Sequence, residues 1–265
     1  MATLTFMNQT IFVHGASSKL GQVLAHHGIR KPLLCTDRGL VDLGMVDALA
    51  ANLSNDAALT IFDGTPENPT QVAVEDAVAQ YLEAGCDGVV ALGGGSSMDL
   101  AKAVALAVTH EGNLIDYTAG LGGAGKIGQV APLIAIPTTS GTGSEVSSGA
   151  VIIMKNGEKL ILASRELVPR TAICDPSLTL GLPPRLTAAT GMDAMTHCIE
   201  ALLSPQINPP AEAVACDGIE RGIRDGHLLQ AVKDGKDEDA RWHMMMAATE
   251  GAMAFSKGLG AVHSM

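Results

Sequence analysis

The sequence predicts an α/β chain: a Rossmann-like parallel sheet with helices on both faces, followed by an all-helical region. Three observations carry this reading. Short aliphatic or β-branched runs recur at 10–15, 32–36, 58–63, 88–92, 132–137 and 171–175. Segments of helical character lie between them, and that alternation builds a parallel sheet. After about residue 181 the strand-like runs stop, and "GLPP" marks the change, because proline opens a helix but cannot continue one. The expected division is an α/β domain at 1–181 and an all-helical domain at 182–265.

The elements follow in order. "TIFVHG" (10–15) runs into the helical "KLGQVLAHHG". "PLLCT" (32–36) ends at Asp37 and leads to "MVDALAANL". "ALTIFD" (58–63) precedes "TPENPT" and the helix "TQVAVEDAVAQYLEAG". "GVVAL" (88–92) meets a glycine run and the Ala-rich "SSMDLAKAVALAVTH". "PLIAIP" (132–137) opens a polar loop. "SSGAVIIM" and "EKLILAS", joined by "KNG", read as an inserted hairpin, and "TAICD" (171–175) closes the series. Four helices are expected after that: "GLPPRLTAATGMDAMTHCIEALLS", "PPAEAVACDGIERGI", "HLLQAVKDG" and "DEDARWHMMMAATEGAMAFS".

Composition narrows the function. The 265 residues are 47% hydrophobic, enough for a large core, yet only 3% aromatic, so small and aliphatic side chains must do the packing. A formal net charge of −11 argues against a nucleic-acid partner. Five scattered cysteines with no CxxC pair suggest reduced thiols in a cytoplasmic protein. The opening "MATLTFMNQT" has no signal-peptide pattern, and no apolar run is long enough to span a membrane.

Several segments could carry chemistry. Gly93, Gly94 and Gly95 stand between a strand and a helix, where backbone amides can approach a phosphate and the helix dipole favours it. Ser96 and Ser97 sit at the helix start and Asp99 in its first turn. A tight turn capped by serine is the alternative. A branched side chain at Gly95 is expected to block the dinucleotide more than it disturbs folding. In "PLIAIPTTSGTGSEVS", Thr138, Thr139, Ser140, Thr142 and Ser144 could line a cofactor cleft at the strand ends; a solvated loop is the alternative. Asp37 could accept from an adenosine ribose and repel a 2′-phosphate, or simply cap a turn. "VHGASSKLGQ" is similar to the TGxxxGxG turn of short-chain dehydrogenases. Those enzymes need a Tyr with a Lys four residues on, and Tyr81 and Tyr117 are followed at that spacing by Gly85 and Leu121. That turn is therefore read as a tight turn near the cofactor or a plain strand–helix connection. Asp193 and His197, four apart in "GMDAMTHCIEA", would share one helix face and could hold a metal ion or form an ordinary hydrogen-bonded pair.

Taken together, "ALGGGSSMDLAKAVA", "IAIPTTSGTGSEVS", "DPSLTLGLPP", "ATGMDAMTHCIEA" and "GLGAVHSM" resemble, in the same order, the iron-containing (group III) alcohol dehydrogenase family. The resemblance covers essentially the whole chain. It implies the two-domain fold shared with dehydroquinate synthase, with the active site between the domains. It implies cofactor contacts from Asp37, Asn68, Gly94, Gly95, Ser96, Thr138, Thr139, Thr142 and Lys159, and metal ligation by Asp193, His197 and His263. The implied cofactors are NAD and Fe(II), with Zn(II) able to accept the same ligands. The implied chemistry is reversible hydride transfer between an alcohol and the nicotinamide, with the metal as Lewis acid. The partner would be a small alcohol, aldehyde or ketone, and a homo-oligomer is expected. The family pattern continues past "GLGAVHSM" with further histidines, so the chain reads as C-terminally truncated, with weak metal binding, low turnover and an intact dinucleotide site expected. The rivals are a dehydroquinate-synthase-like lyase, which has Glu as first metal ligand and a base-rich site, and a non-catalytic nucleotide-binding remnant. His14, His26, His27, His110, His227 and His243 are read as lacking partners at ligand spacing, and Met244–Met246 as core.

Overall fold

The structure is a computed structural model that describes residues 8–53 and 58–264. Six strands form one sheet: β1 (Gln9–Phe12), β2 (Pro32–Cys35), β3 (Thr60–Phe62), β4 (Gly88–Gly93), β5 (Leu133–Pro137) and β8 (Thr171–Cys174). Every pairing in it is parallel, and the order is β1-β8-β5-β4-β2-β3. The expected hairpin is β6 (Gly149–Ile153) with β7 (Lys159–Ala163), a separate antiparallel pair. Helices α1 (Leu20–His26), α2 (Arg38–Asp42), α3 (Met45–Ala50), α4 (Gln71–Ala84) and α5 (Gly95–Ala107) fill the crossovers.

Period-two alternation explains why both faces of the sheet are covered. Leu33, Cys35, Val89, Ala91, Leu133 and Ala135 pack with Ala73, Val74, Ala77 and Met98 of α4 and α5. Their neighbours Leu34, Val90, Leu92, Ile134 and Ile136 point the other way, onto Leu20, Val23 and Leu24 of α1 and Val46 and Leu49 of α3. From β2 the chain moves outward to β3; from β4 it moves the other way to β5. That reversal makes a crevice at the carboxyl ends of β2 and β4, the position where such sheets bind ligands.

After β8 the described residues contain only helices: α6 (Pro184–Leu203), α7 (Pro209–Ile219), α8 (His227–Lys233), α9 (Glu238–Ala254) and the short α10 (Ala261–Ser264). Their core is small and flexible in shape: Ala194, Met195, Ala231, Ala240, Met244, Ala247 and Ala248. Met244 and Met245 are buried, as the core reading of the methionine run requires. A further cluster joins the two halves, with Val146, Ala172 and Cys174 against Met245 and Ala252 of α9.

Two boundaries differ from the sequence reading. The first strand stops at Phe12 rather than Gly15, because Gly15 turns the chain at φ 77° and gives its amide to Asp175. Helix α2 was not expected; it forms because Asp37 caps it, accepting from Leu40 N at 3.1 Å.

Candidate active site

The glycine run lies where the crevice requires. Gly93 ends β4 at φ 149°, a region that favours glycine, and a Cβ there would collide with Ser97. Gly94 is the N-cap of α5 without any side-chain cap, and α5 begins at Gly95. Capping by Ser96 or Ser97 is therefore not what this turn does. Ser96 donates instead to Glu67 O at 2.5 Å, tying the loop to the segment that carries Asn68. Across the crevice, Thr138 N donates to Gly93 O at 2.9 Å. A Cβ on Gly94 would touch Thr139 at 3.4 Å, and one on Gly95 would meet Thr142 Cγ2 at 2.7 Å. Gly95 thus faces the second loop, which changes the expectation stated above: enlarging it disturbs packing as well as any ligand.

Lys159 Nζ reaches Asn68 Oδ1 at 3.4 Å, so these two expected cofactor residues meet at one rim. At Asp37 the capping alternative is realised. One oxygen serves Leu40; the other accepts no hydrogen bond among the described residues.

The loop's rigidity comes from a residue the sequence reading passed over. Lys102 on α5 is completely buried, and its ammonium donates to Ser144 Oγ (2.9 Å), Ser147 O (2.9 Å), Ser147 Oγ (3.1 Å) and Gly149 O (2.7 Å). Asp99, one turn earlier, accepts from Ser144 Oγ at 2.7 Å and from Val151 N at 2.8 Å. Helix α5 begins at Gly95, so Asp99 is its fifth residue and lies beyond the first turn in which it is expected as a dipole partner. Burial pulls the Lys102 ammonium down to about 8, with Asp99 and Glu145 opposing, and burial pushes the Asp99 carboxyl up against the Lys102 charge. The Asp-x-x-Lys pair inside an otherwise small and apolar helix was the available signal.

The glycine turn after β1 is closed. Asp175, 1% exposed, accepts from Gly15 N (2.9 Å), Ser17 N (3.0 Å), Ser17 Oγ (2.7 Å) and Ser177 N (3.1 Å). The amides that could have met a phosphate are occupied by the chain's own carboxylate, so of the two readings the plain connection holds.

The helical half brings Asp193, His197 and His263 together, with one ligand atom from each within 4.8 Å of the others. His263 Nε2 lies 3.3 Å and His197 Nε2 4.0 Å from Asp193 Oδ1. The imidazoles stack at 4.2 Å between centroids. Ligands at about 2.1 Å around a tetrahedral ion stand about 3.4 Å apart, so the donor set fits a divalent metal. The buried Nδ1 of His197 has no hydrogen-bond partner. Burial lowers the His197 pKa, and the neighbouring His263 adds to this while Asp193 opposes it; the neutral form is the one that ligates.

Glu200 was quoted with the motif but given no role. It is 4% exposed and accepts from His263 Nδ1 at 2.5 Å and Val262 N at 2.6 Å. Burial would raise its carboxyl, but these bonds, led by the one from His263, hold it down at about 2. A carboxylate on Nδ1 fixes the tautomer and turns Nε2 toward the metal position. Asp193, His197 and Glu200 stand at i, i+4 and i+7, one helix face, and that spacing was readable.

A second cluster contradicts the reading of two further histidines, His227 and His243, as lacking partners at ligand spacing. His227, Asp239 and His243 also place one ligand atom each within 4.8 Å of one another. The Asp239–His243 spacing of four was in the sequence and repeats that of Asp193–His197.

Comparison with known proteins agrees with this geometry. Residues 8–176 match a family model described as iron-containing alcohol dehydrogenase, and residues 187–265 match the Fe-containing alcohol dehydrogenase family C-terminal model. The chain is 53% identical to a 4-hydroxybutyrate dehydrogenase of Cupriavidus necator, over all of this chain and 69% of that protein. It is 36% identical to a choline dehydrogenase of Bacillus subtilis (strain 168), over 98% of this chain and 66% of that protein. Against the crystal structure of a 1,3-propanediol oxidoreductase the TM-score is 0.92 at 35% identity, covering 99% of this chain and 69% of the other. Against a sulfoacetaldehyde reductase from Bifidobacterium kashiwanohense in complex with NAD+ it is 0.93 at 30% identity, covering 100% and 69%. The chain thus spans about two thirds of the length of these relatives. Sequence and fold agree throughout that span, and the chain belongs to the iron-containing alcohol dehydrogenase family.

Proposed function

We propose that this chain binds NAD along Gly94, Gly95, Ser96, Thr138, Thr139, Thr142, Asn68, Lys159 and Asp37, and a divalent metal on Asp193, His197 and His263, to interconvert a primary alcohol and its aldehyde. NAD and iron are the cofactors of the family. The observation that carries the reading is the orientation of His263: Glu200 holds its Nδ1 side, and its Nε2 lies 3.3 Å from Asp193 Oδ1. A bound metal would supply Lewis acidity toward the substrate oxygen. The chain's own part is to set that oxygen next to a nicotinamide. The Thr138–Ser144 loop does this, since it reaches from the cofactor crevice to α6, where Gly141 lies so close to Thr190 that a Cβ on it would stand 2.9 Å from Thr190 Cβ.

For substrate, identity to the 4-hydroxybutyrate dehydrogenase supports a short ω-hydroxy acid. The same reading divides the chain into domains at 1–181 and 182–265, which the hinge-like "GLPP" and the change from strands to helices support. All five cysteines are free thiols, which supports a reducing cytoplasm. No helix among the described residues is long and apolar enough to cross a membrane. A homo-oligomer, expected from the family, belongs to the proposal too, with light scattering as its check.

The test is metal analysis together with NADH formation from 4-hydroxybutyrate, 1,3-propanediol and ethanol after Fe(II) loading. Metal content that falls in both Asp193→Asn and His197→Ala, with NADH formed fastest from 4-hydroxybutyrate, is expected. If metal content is the same in wild type, Asp193→Asn and His197→Ala, the metal assignment is wrong; if a simple alcohol is preferred, the substrate assignment is wrong.

A further inference from the structure

The metal triad has a recognisable form without any ion. An Asp and a His stand four apart on one helix, a second His comes from another segment, and its ring stacks on the first. Asp193 and His197 lie on α6, their Oδ1 and Nε2 4.0 Å apart, and His263 stacks on His197 at 4.2 Å and 16°. The surface of α8 and α9 repeats each part. Asp239 and His243 lie on α9 with Oδ1 and Nε2 3.8 Å apart, and His227, first residue of α8, stacks on His243 at 4.0 Å and 4°. In both clusters the ligand atoms fall within 4.8 Å of one another.

We propose that His227, Asp239 and His243 form a second divalent-metal site, clamping α8 to α9. Two imidazoles and one carboxylate suit Ni(II), Zn(II) or Co(II) and not Mg(II) or Ca(II). The side chain of Asp239 is 79% exposed and that of His243 25%, so the site opens to solvent and leaves room for water ligands. With the rings parallel their in-plane lone pairs also run parallel, so one ring must turn about its side-chain bonds for both to converge on one ion, a movement that the exposed edge of the cluster leaves room for.

One neighbour sets the strength. Arg221 Nη1 donates to His243 Nδ1 at 3.0 Å. Ligation through Nε2 requires the proton on Nδ1, so this contact must open when metal binds. Arg221 keeps its bonds to Asp217 Oδ2, 2.8 Å from Nε and 2.7 Å from Nη2, and its 3.4 Å contact to Glu250 Oε1. The guanidinium therefore remains close, and its charge makes this site weaker than one built from the same ligands without it.

Calorimetric titration of Ni(II) into the metal-stripped chain tests the proposal. Wild type is expected to take up two equivalents in two phases. Asp239→Asn and His243→Ala should each weaken the second phase at least tenfold and leave the first, whereas His197→Ala should remove the first and leave the second. Asp239 is so exposed that its Asn variant is expected to fold normally, which circular dichroism verifies. A single wild-type phase that Asp239→Asn and His243→Ala leave unchanged, or a second phase of unchanged affinity in both variants, overturns the second site. A single wild-type phase that these two variants weaken and His197→Ala leaves unchanged counts instead against the triad at Asp193, so the two assignments fail separately.

Discussion

After β1 the chain turns through Gly15, and after β4 it turns through Gly93, Gly94 and Gly95. Both turns follow parallel strands, lead into helices and present backbone amides, and by local sequence either could cradle a phosphate. In the first, Asp175 enters from 160 residues away and takes the amides of Gly15 and Ser17. In the second, no side chain caps α5, and the anchoring comes from behind, where Lys102 ties α5 to Ser144, Ser147 and Gly149. A phosphate-type turn becomes a binding site only when the rest of the chain declines to fill it. The open turn needs a rigid rear support; the closed one is its own support.

The largest effect is expected from removing that rear support. Lys102→Met leaves Asp99 and several carbonyl and hydroxyl oxygens without their cation, at a cost of about 3–5 kcal/mol. Urea denaturation measures it, and a loss within error of zero would mean the open turn needs no anchor. Asp175→Ala should come next, at roughly 2–4 kcal/mol, since it strips hydrogen bonds from a buried charged acceptor. Burial would raise this carboxyl, but the bonds from Ser17, Gly15 and Ser177 hold it below the ordinary 3.8. Its contribution is therefore present above that pH and fades as pH falls through the lower folded value. The stability gap between wild type and Asp175→Ala should be full near neutral pH and shrink under acid; a gap independent of pH would contradict the depressed carboxyl.

Gly95→Ala sharpens the comparison from the open side. Its Cβ meets Thr142, so about 1–3 kcal/mol of overpacking is expected along with weaker NADH binding. Adding Thr142→Ala should recover much of the stability, read by denaturation and NADH fluorescence. The smallest effect is a preference rather than a loss: Asp37→Gly removes the carboxylate beside the ribose position and should shift NADP against NAD by roughly tenfold, about 1.4 kcal/mol. A wild type that already favours NADP would remove Asp37 from the site.

Much of this was legible from one sequence because it is local. Six strands show as aliphatic runs; β2, β4, β5 and β8 are buried along their whole length, and the edge strands β1 and β3 keep the same residue types although they are more exposed. Helices α6 to α9 show as small-residue helical segments after "GLPP". Asp193 and His197 show through one-turn spacing. What escaped depends on distant partners or on burial. Lys102 looks like any helix lysine until the hairpin strand β6 covers it. The partner of Gly15 is Asp175, which no local pattern announces. Glu200 was legible, one further turn along the face of Asp193 and His197, and so was Asp239 with His243, because both follow the same helical spacing.

The loop from Thr138 to Ser144 is clamped from two sides. Gly141 rests on Thr190 of α6, and Gly143, at φ 61°, sits against Ala248 O and the methyl of Ala252 on α9. A loop so confined cannot shift by itself. An adjustment of this loop to a dinucleotide would press on the helix bearing Asp193 and His197. Occupancies of the two proposed sites would then be thermodynamically linked, and linkage is reciprocal: the factor by which metal tightened NADH would be the factor by which NADH tightened metal. Cofactor and ion would arrive as cooperating ligands, each completing the site for the other.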